Sequence, residues 1–417
     1  MKVLLIGTGG REHALAWKIA SSPYCTRLFV AKGNGGTAEW NVPLIPDQPS
    51  SVLAFCKSET IDLVVIGPEQ PLSEGLADTL REAGILVVGP GKAGARLESS
   101  KVFSKAFMEK YHIPTAKAQY FLREDYDEAL LFLMQQPLPV VIKVDGLAAG
   151  KGVIIANNHD EAIKALDDIF HEDSFGPAGD KILVESFLTG KEVSVFILTD
   201  GKNWILLPEA MDYKRAREGN LGPNTGGMGA ISPVPFFTQS LKNWVSENII
   251  EPTLKGLREE NIEYRGFIFF GLMTDGEEAR VIEYNVRMGD PETEAVIPRI
   301  VSDILPLLKD AASGNLSAPA LEISPRAAAT TVCVSGGYPG VFEKDFPIQL
   351  YGKQQDILYF HAGTRMSDNQ LLTSGGRVMA VTGLGDTLED AVKQSQEGAD
   401  AVQFEKKYFR PDIGTIY

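Results

Sequence analysis

Residues 140–153 read Val140-Val141-Ile142-Lys143-Val144-Asp145-Gly146-Leu147-Ala148-Ala149-Gly150-Lys151-Gly152-Val153. An apolar run enters a glycine-rich turn and a second run, Val153 to Ala156, leaves it. The spacing fails a Walker phosphate loop twice: three residues instead of four part Gly146 from Gly150, and Gly152 stands where Ser or Thr would meet magnesium. With strand-like flanks on both sides, the segment predicts a hairpin tip whose amides and Lys151 fold over phosphates. Lys143 interrupts an otherwise apolar strand, which calls for an anionic partner unless the strand is an edge on which the side chain snorkels.

Upstream, short apolar runs alternate with helical patterns: Val3 to Ile6, Glu12 to Ala20, Leu28 to Ala31, Leu63 to Ile66, Leu72 to Glu82 and Ile85 to Val88. That alternation predicts a doubly wound parallel sheet over residues 1–100. Its strands end in the turns Gly7-Thr8-Gly9-Gly10, Lys32 to Gly36, Gly67-Pro68-Glu69 and Gly89-Pro90-Gly91. Ligands bind at the carboxyl ends of strands in such sheets, so these turns are candidate pocket lining. A dinucleotide reading of Gly7-Thr8-Gly9-Gly10 is weakened because Glu12 stands where the third glycine belongs, and Ala31-Lys32 stands where a ribose-binding acid belongs.

Downstream, the spacing predicts an α+β second domain over 101–323. A helix from Lys101 is ended by Pro114, and a helix lies near 239–260. A hairpin turns at Asp275-Gly276 between Gly266 to Thr274 and Ala279 to Arg287. Asp290-Pro291-Glu292 reads as cap, first position and acidic first turn of a further helix. A smaller β-rich domain follows over 324–417.

Composition bounds the function. The chain has 417 residues, 44% hydrophobic and 23% charged, which fits folded domains and neither disorder nor a coiled coil. Lys and Arg total 40 against 55 Asp and Glu, for a net charge of −15, so no sequence-blind grip on nucleic acid or anionic membrane is expected. Cys25, Cys56 and Cys333 match no disulfide framework or zinc spacing, which points to a reducing cytoplasm. The opening apolar run is too short for a signal peptide, and no run is long enough to span a bilayer.

Two further clusters carry chemistry. Glu283, Asn285 and Arg287 alternate along the second hairpin strand, so they share a face: a carboxylate and an amide oxygen for Mg²⁺, with Arg287 beside them to clamp an anion. Asp212, Tyr213, Lys214, Arg215 and Arg217 precede the segment Gly222-Pro223-Asn224-Thr225-Gly226-Gly227-Met228-Gly229, and charge with glycine suits a lid over charged reactants.

The chain is similar to the ATP-grasp superfamily and, within it, to the phosphoribosylamine–glycine ligase family. Carrying that resemblance are Val3 to Leu15, Gly67-Pro68-Glu69, Ile142-Lys143 with Asp145 to Val153, Gly222 to Ala230, Gly289-Asp290-Pro291-Glu292-Thr293, His361 to Thr364 and Gly375-Gly376-Arg377-Val378. It implies an N-terminal α/β domain, a central ATP-grasp domain with a lid subdomain inserted at about 120–190, and a C-terminal domain. The activity implied joins glycine to 5-phosphoribosylamine at the expense of ATP, through glycyl phosphate, in purine biosynthesis. For ATP it implies Lys105, Lys143, Gly146, Gly150, Lys151, Gly152, Glu185, Phe187 and Leu188, with Glu192 on the ribose. Glu283 and Asn285 would hold Mg²⁺ or Mn²⁺. Arg287, Asp212 and Lys214 would be catalytic, while Gly9, Gly10, Arg11, Glu12, Pro68, Glu69, Gly289, Asp290, Pro291, Glu292 and Thr293 would surround glycine and the phosphosugar.

The implied protein is cytoplasmic, monomeric or weakly self-associating, and its end at Tyr417 leaves no room for fused enzymes. Gly266 to Met273 carries no carboxylate, which argues against a second protein-bound metal. Tyr213 stands where many such ligases have His, and Val286 and Met288 also depart from the pattern. His13, His112 and His361 read as structural. The alternatives are another ATP-grasp ligase or carboxylase acting on a small acid or purine intermediate, a non-catalytic nucleotide-binding regulator, and a dehydrogenase.

Overall fold

The computed structural model describes residues 1–147, 152–317, 321–350 and 355–415. Gly150 and Lys151 of the glycine hairpin lie outside the described residues. The N-terminal sheet is parallel, in the order Asn41–Val42, Arg27–Lys32, Lys2–Gly7, Leu63–Ile66, Leu86–Val88. Val3 and Leu5 face one hydrophobic core and Leu4 and Ile6 the other, which is why the strand reads as an unbroken apolar run.

A four-stranded antiparallel sheet follows, in the order Ala118–Leu122, Lys181–Ser186, Val140–Val144, Val153–Ala156. Val140, Ile142 and Val144 pack with Ile182 and Val184 under the helices Tyr126–Gln135 and His159–Phe170, forming a core of their own. The period of two sends Val141, Lys143 and Glu185 to the opposite face, where they are buried as the lining of a cavity. A second four-stranded antiparallel sheet, Trp204–Leu206, Lys191–Thr199, Gly266–Thr274, Ala279–Asn285, stands across from that face.

The C-terminal region builds on a six-stranded sheet. The strands Met211–Asp212 and Gly229–Ser232 lead into Ala327–Ser335, Arg377–Gly385 and Ile357–His361, with Lys407–Tyr408 paired to Ala327–Ser335. This sheet therefore draws strands from both sides of residue 324, and it carries the charged segment at 212–214 on its edge.

Four local readings are revised. The helix after Asp290 begins at Glu292, is capped by Pro291 without a side-chain hydrogen bond, and gives way to a 3-10 turn at Ile297–Arg299. The Asp290 carboxylate is instead drawn to Arg377 (3.0 Å) and the Arg11 amide (3.4 Å), charged and dipolar partners that outcompete its own helix. The strand Ala279–Asn285 ends before Arg287, and a bulge opposite Gly271–Leu272 shifts its register. The charged stretch after Lys214 is not an open loop: Arg215–Arg217 pairs with Leu221–Asn224. The helix expected near 239–260 is one run of three segments, Gln239–Val245, a π-helical Ser246–Ile250 and Glu251–Glu259.

Candidate active site

One cavity of about 880 Å³ lies between the two four-stranded sheets and runs on to the carboxyl ends of the N-terminal strands. That volume suits a nucleotide with small co-substrates. At one end Glu185 is clamped between two lysines: its Oε2 is 2.9 Å from Lys143 Nζ and its Oε1 3.0 Å from Lys105 Nζ. Lys143 pairs across the strands with Leu183, and Glu185 with Val141, so the two charged residues are diagonal neighbours on one face. Here is the anionic partner that the interrupted apolar strand required. Lys105, from the helix Lys101–Lys110, also donates to Thr115 Oγ1 (2.8 Å) and the Ala116 carbonyl (3.2 Å). Burial pulls its ammonium below the usual lysine range, against the pull of Glu185. Gly146, Gly152, Phe187, Leu188 and Glu192 line the same end.

Glu283 and Asn285 line the floor. Burial raises the Glu283 carboxyl, but Lys214, Lys143, Lys101 and Arg287 more than offset this and hold it below the ordinary value. An ionised carboxylate beside an amide oxygen, facing a cavity large enough for phosphates, fits a hard divalent cation that keeps substrate and water oxygens as its other ligands. Among the described residues no three His, Cys, Asp or Glu side chains cluster as a metal site.

Arg287 joins the floor to the first domain. Its Nη2 is 2.7 Å from Glu98 Oε1 and its Nε 3.4 Å from Glu69 Oε2, and Glu98 also accepts the Val286 amide at 2.8 Å. Burial raises the Glu98 carboxyl above the ordinary range, with Arg287 opposing; at Glu69 burial is outweighed by Arg287 and Arg11, and the carboxyl is lowered. Lys214 is hydrogen-bonded to Glu192 and lies 4.0 Å from Asp212 Oδ1. Burial, reinforced by Glu292 and Glu192 against Lys214, pushes Asp212 up to about 7. Glu292, raised by burial, accepts from Ser194 Oγ at 3.1 Å.

Arg11 and Glu12 form a buried pair, Nε to Oε1 2.5 Å, and Arg11 Nη1 donates to the Met288 carbonyl at 3.1 Å. Glu12 Oε2 accepts the Gly9 amide at 2.6 Å, so the helix N-terminus that a dinucleotide pyrophosphate would use is already capped. A Cβ at Gly67 would stand 2.1 Å from Glu12 Oε1, and one at Gly7 2.4 Å from Glu12 Cγ; the two glycines make room for this carboxylate. Gly9, Pro68, Gly289 and Asp290 line the cavity here. Gly10, Pro291 and Thr293 do not: Gly10 is covered by Glu294, Pro291 packs on Gly227, and the buried Thr293 hydroxyl turns back to the Gly289 carbonyl.

Glu98, Lys101 and Arg377 line the cavity without having been singled out. Lys101 Nζ donates to the Gly146 carbonyl at 2.8 Å, anchoring the base of the glycine hairpin. Arg377 carried a signal, the Gly375-Gly376-Arg377 string, but nothing local ties it to a site so far upstream.

Three parts of the phosphoribosylglycinamide synthetase family match in order: the N domain over residues 1–98, the ATP-grasp (A) domain over 99–293 and the C domain over 328–416. The chain belongs to the phosphoribosylglycinamide synthetase family. Among its relatives, the phosphoribosylamine–glycine ligase of Chlorobaculum tepidum is 45% identical, covering 99% of this chain and 99% of that protein. The enzyme of the same name from Agrobacterium fabrum is 46% identical over 99% and 98%. A crystal structure of phosphoribosylamine–glycine ligase from Thermotoga maritima superimposes with a TM-score of 0.86 at 33% identity, covering 99% of this chain and all of that one. The biotin carboxylase domain of the Hydrogenobacter thermophilus 2-oxoglutarate carboxylase shares the fold alone, at 16% identity and a TM-score of 0.74 over 98% and 91%. The chain is thus an ATP-grasp carbon–nitrogen ligase of a purine-biosynthetic family. No helix among the described residues is long and apolar enough to cross a membrane.

Proposed function

We propose that the cavity joins glycine to 5-phosphoribosylamine, giving glycinamide ribonucleotide, ADP and phosphate. The observation that carries this reading is the continuity of one cavity from the Lys105–Glu185–Lys143 cluster, past Glu283 and Asn285, to the carboxylates and arginines of the first domain. ATP lies at the lysine end, with its phosphates on Lys105 and Lys143 under the glycine hairpin, adenine against Phe187 and Leu188, and ribose at Glu192. Glu283 and Asn285 would hold Mg²⁺ or Mn²⁺, which supplies charge neutralisation to the transferring phosphoryl group. Glycine and the phosphosugar lie at the other end, among Arg11, Glu69, Asp212, Lys214, Arg287 and the 289–293 turn.

A carboxylate is a poor electrophile, so one glycine oxygen first attacks the γ-phosphorus, releasing ADP and leaving glycyl phosphate. The sugar amine then attacks the carbonyl carbon and phosphate leaves with that oxygen. No side chain need become a covalent nucleophile. Lys105, Lys143, Lys214 and Arg287 position reactants and stabilise charge, and enclosure between the sheets keeps water from the acyl phosphate. The protein acts in the cytoplasm as a monomer or weak homo-oligomer. Oxygen-18 in the glycine carboxylate tests the route: one label per turnover should reach inorganic phosphate, and unlabelled phosphate would contradict it.

A further inference from the structure

Among the described residues beyond 324, the cavity is lined by Arg377. Arg377 starts the strand Arg377–Gly385 and lines the cavity with its side chain 22% exposed. Its Nη1 donates to the Gly226 carbonyl at 2.5 Å and the Asp290 carbonyl at 2.7 Å, and lies 3.0 Å from Asp290 Oδ1. The guanidinium lies flat against Gly226, where a Cβ would meet Cζ at 3.1 Å. Tyr338, also from this domain, accepts the Gly226 amide on its hydroxyl at 3.1 Å. Gly227, at φ +113°, packs so near Pro291 that a Cβ would stand 2.3 Å from its Cδ.

The grip extends inward. Thr225 donates both its amide and its hydroxyl to the Lys214 carbonyl, each at 2.8 Å, and the Met228 amide donates to the Tyr213 carbonyl at 2.8 Å. One guanidinium thus fixes two separate stretches at the substrate end: Asp290 directly, and Lys214 by way of Gly226 and Thr225. Lys214 also hydrogen-bonds Glu192, but neither stretch contacts the Lys105–Glu185–Lys143 cluster that holds the nucleotide end.

We propose that Arg377 is a positioning residue for the glycine and phosphoribosylamine end of the site, clamping residues 224–227 to the Asp290 turn. The substrate assignment rests on the ligase reading above; the clamp itself does not. Arg377→Met removes every donor while keeping an unbranched chain, and Arg377→Lys keeps one charge but not the planar fork. Tyr338→Phe releases the Gly226 amide alone. The kinetic expectation for Arg377→Met is a rise of roughly tenfold or more in KM for glycine and phosphoribosylamine with KM for ATP within about twofold, Arg377→Lys and Tyr338→Phe shifting the same constants less. Amide hydrogen exchange supplies a readout independent of turnover: residues 224–228 should lose protection in Arg377→Met, and the Gly226 amide in Tyr338→Phe, while 140–144 and 181–186 keep theirs. Should Arg377→Met not fold, Arg377→Lys and Tyr338→Phe carry both readouts. Unchanged protection at 224–228, or a KM for ATP that moves as far as those of the other substrates, overturns the proposal. Loss of protection with no turnover in the wild type would leave the clamp standing and remove the ligase reading.

Discussion

Lys143 and Glu185 sit two residues out of register on neighbouring strands, with Nζ 2.9 Å from Oε2, and the second oxygen of the same carboxylate holds Lys105. In the proposed reading, ATP phosphates would share the two lysines with this carboxylate. Glu185→Gln leaves two buried ammonium groups short of a counter-charge, a loss of about 3 kcal/mol by analogy with broken buried pairs. Thermal scans should show a lower melting temperature than wild type, and saturating ATP should recover more of it in the variant than it adds to the wild type.

Lys143→Met removes a cation that the proposed reading sets against the ATP phosphates and leaves the far end of the cavity untouched. KM for ATP should rise roughly ten- to hundredfold while KM for glycine stays put, as steady-state kinetics would show.

The Glu12 carboxylate fills the space that Gly67 leaves open. Gly67→Ala should overpack it and cost about 1–3 kcal/mol in urea unfolding. Because Glu12 also holds Arg11, KM for phosphoribosylamine should rise in the same variant while KM for ATP does not.

His13 and His361 face one another between the first and last domains; His13 Nδ1 accepts the His361 amide at 2.8 Å, and the rings lie 5.4 Å apart. Burial lowers His13 to about 3, helped by His361, and lowers His361 to about 4. Both lie below the unfolded value near 6.5, so the unfolded chain binds these protons first on acidification. Stability should be full above about pH 6.5 and fall steadily toward pH 4. Melting temperature against pH should show this slope, and His361→Gln should flatten it.

Asp212, raised to about 7 by burial, is uncharged at lower pH. If its carboxylate attracts the glycine ammonium, kcat/KM for glycine should climb as pH rises through about 7, and Asp212→Asn should lose that limb while keeping any others.

What the sequence made legible was local. Lys143 interrupting an apolar run called for an anionic partner, and the strand-like flanks of the failed Walker spacing predicted a hairpin; Val140–Val144 and Val153–Ala156 do pair antiparallel. The identity of the lysine's partner was not legible, because it depends on the register of a strand some forty residues away. The places of Glu98 and Arg377 in the cavity were not legible for the same reason: Glu98 lies at the end of an ordinary amphipathic helix, and Arg377 becomes part of the site only when the C-terminal sheet takes in 229–232. Asp290-Pro291-Glu292 misled because a cap signal is local, whereas two arginines from distant segments compete for that carboxylate. Arg287 reached the cavity although the strand ends at Asn285, since Glu98 and Glu69 draw its guanidinium inward.

In the proposed reaction one cavity couples ATP cleavage to both glycine and phosphoribosylamine across the floor formed by Glu283 and Asn285. The most direct measurement is ADP release from Mg·ATP with each co-substrate omitted in turn, the amine being generated in place from ribose 5-phosphate and ammonia, for the wild type and Glu283→Ala. Turnover is expected only with both present, and none in the variant. ADP release that needs a different carboxylate, or full activity in Glu283→Ala, would contradict it.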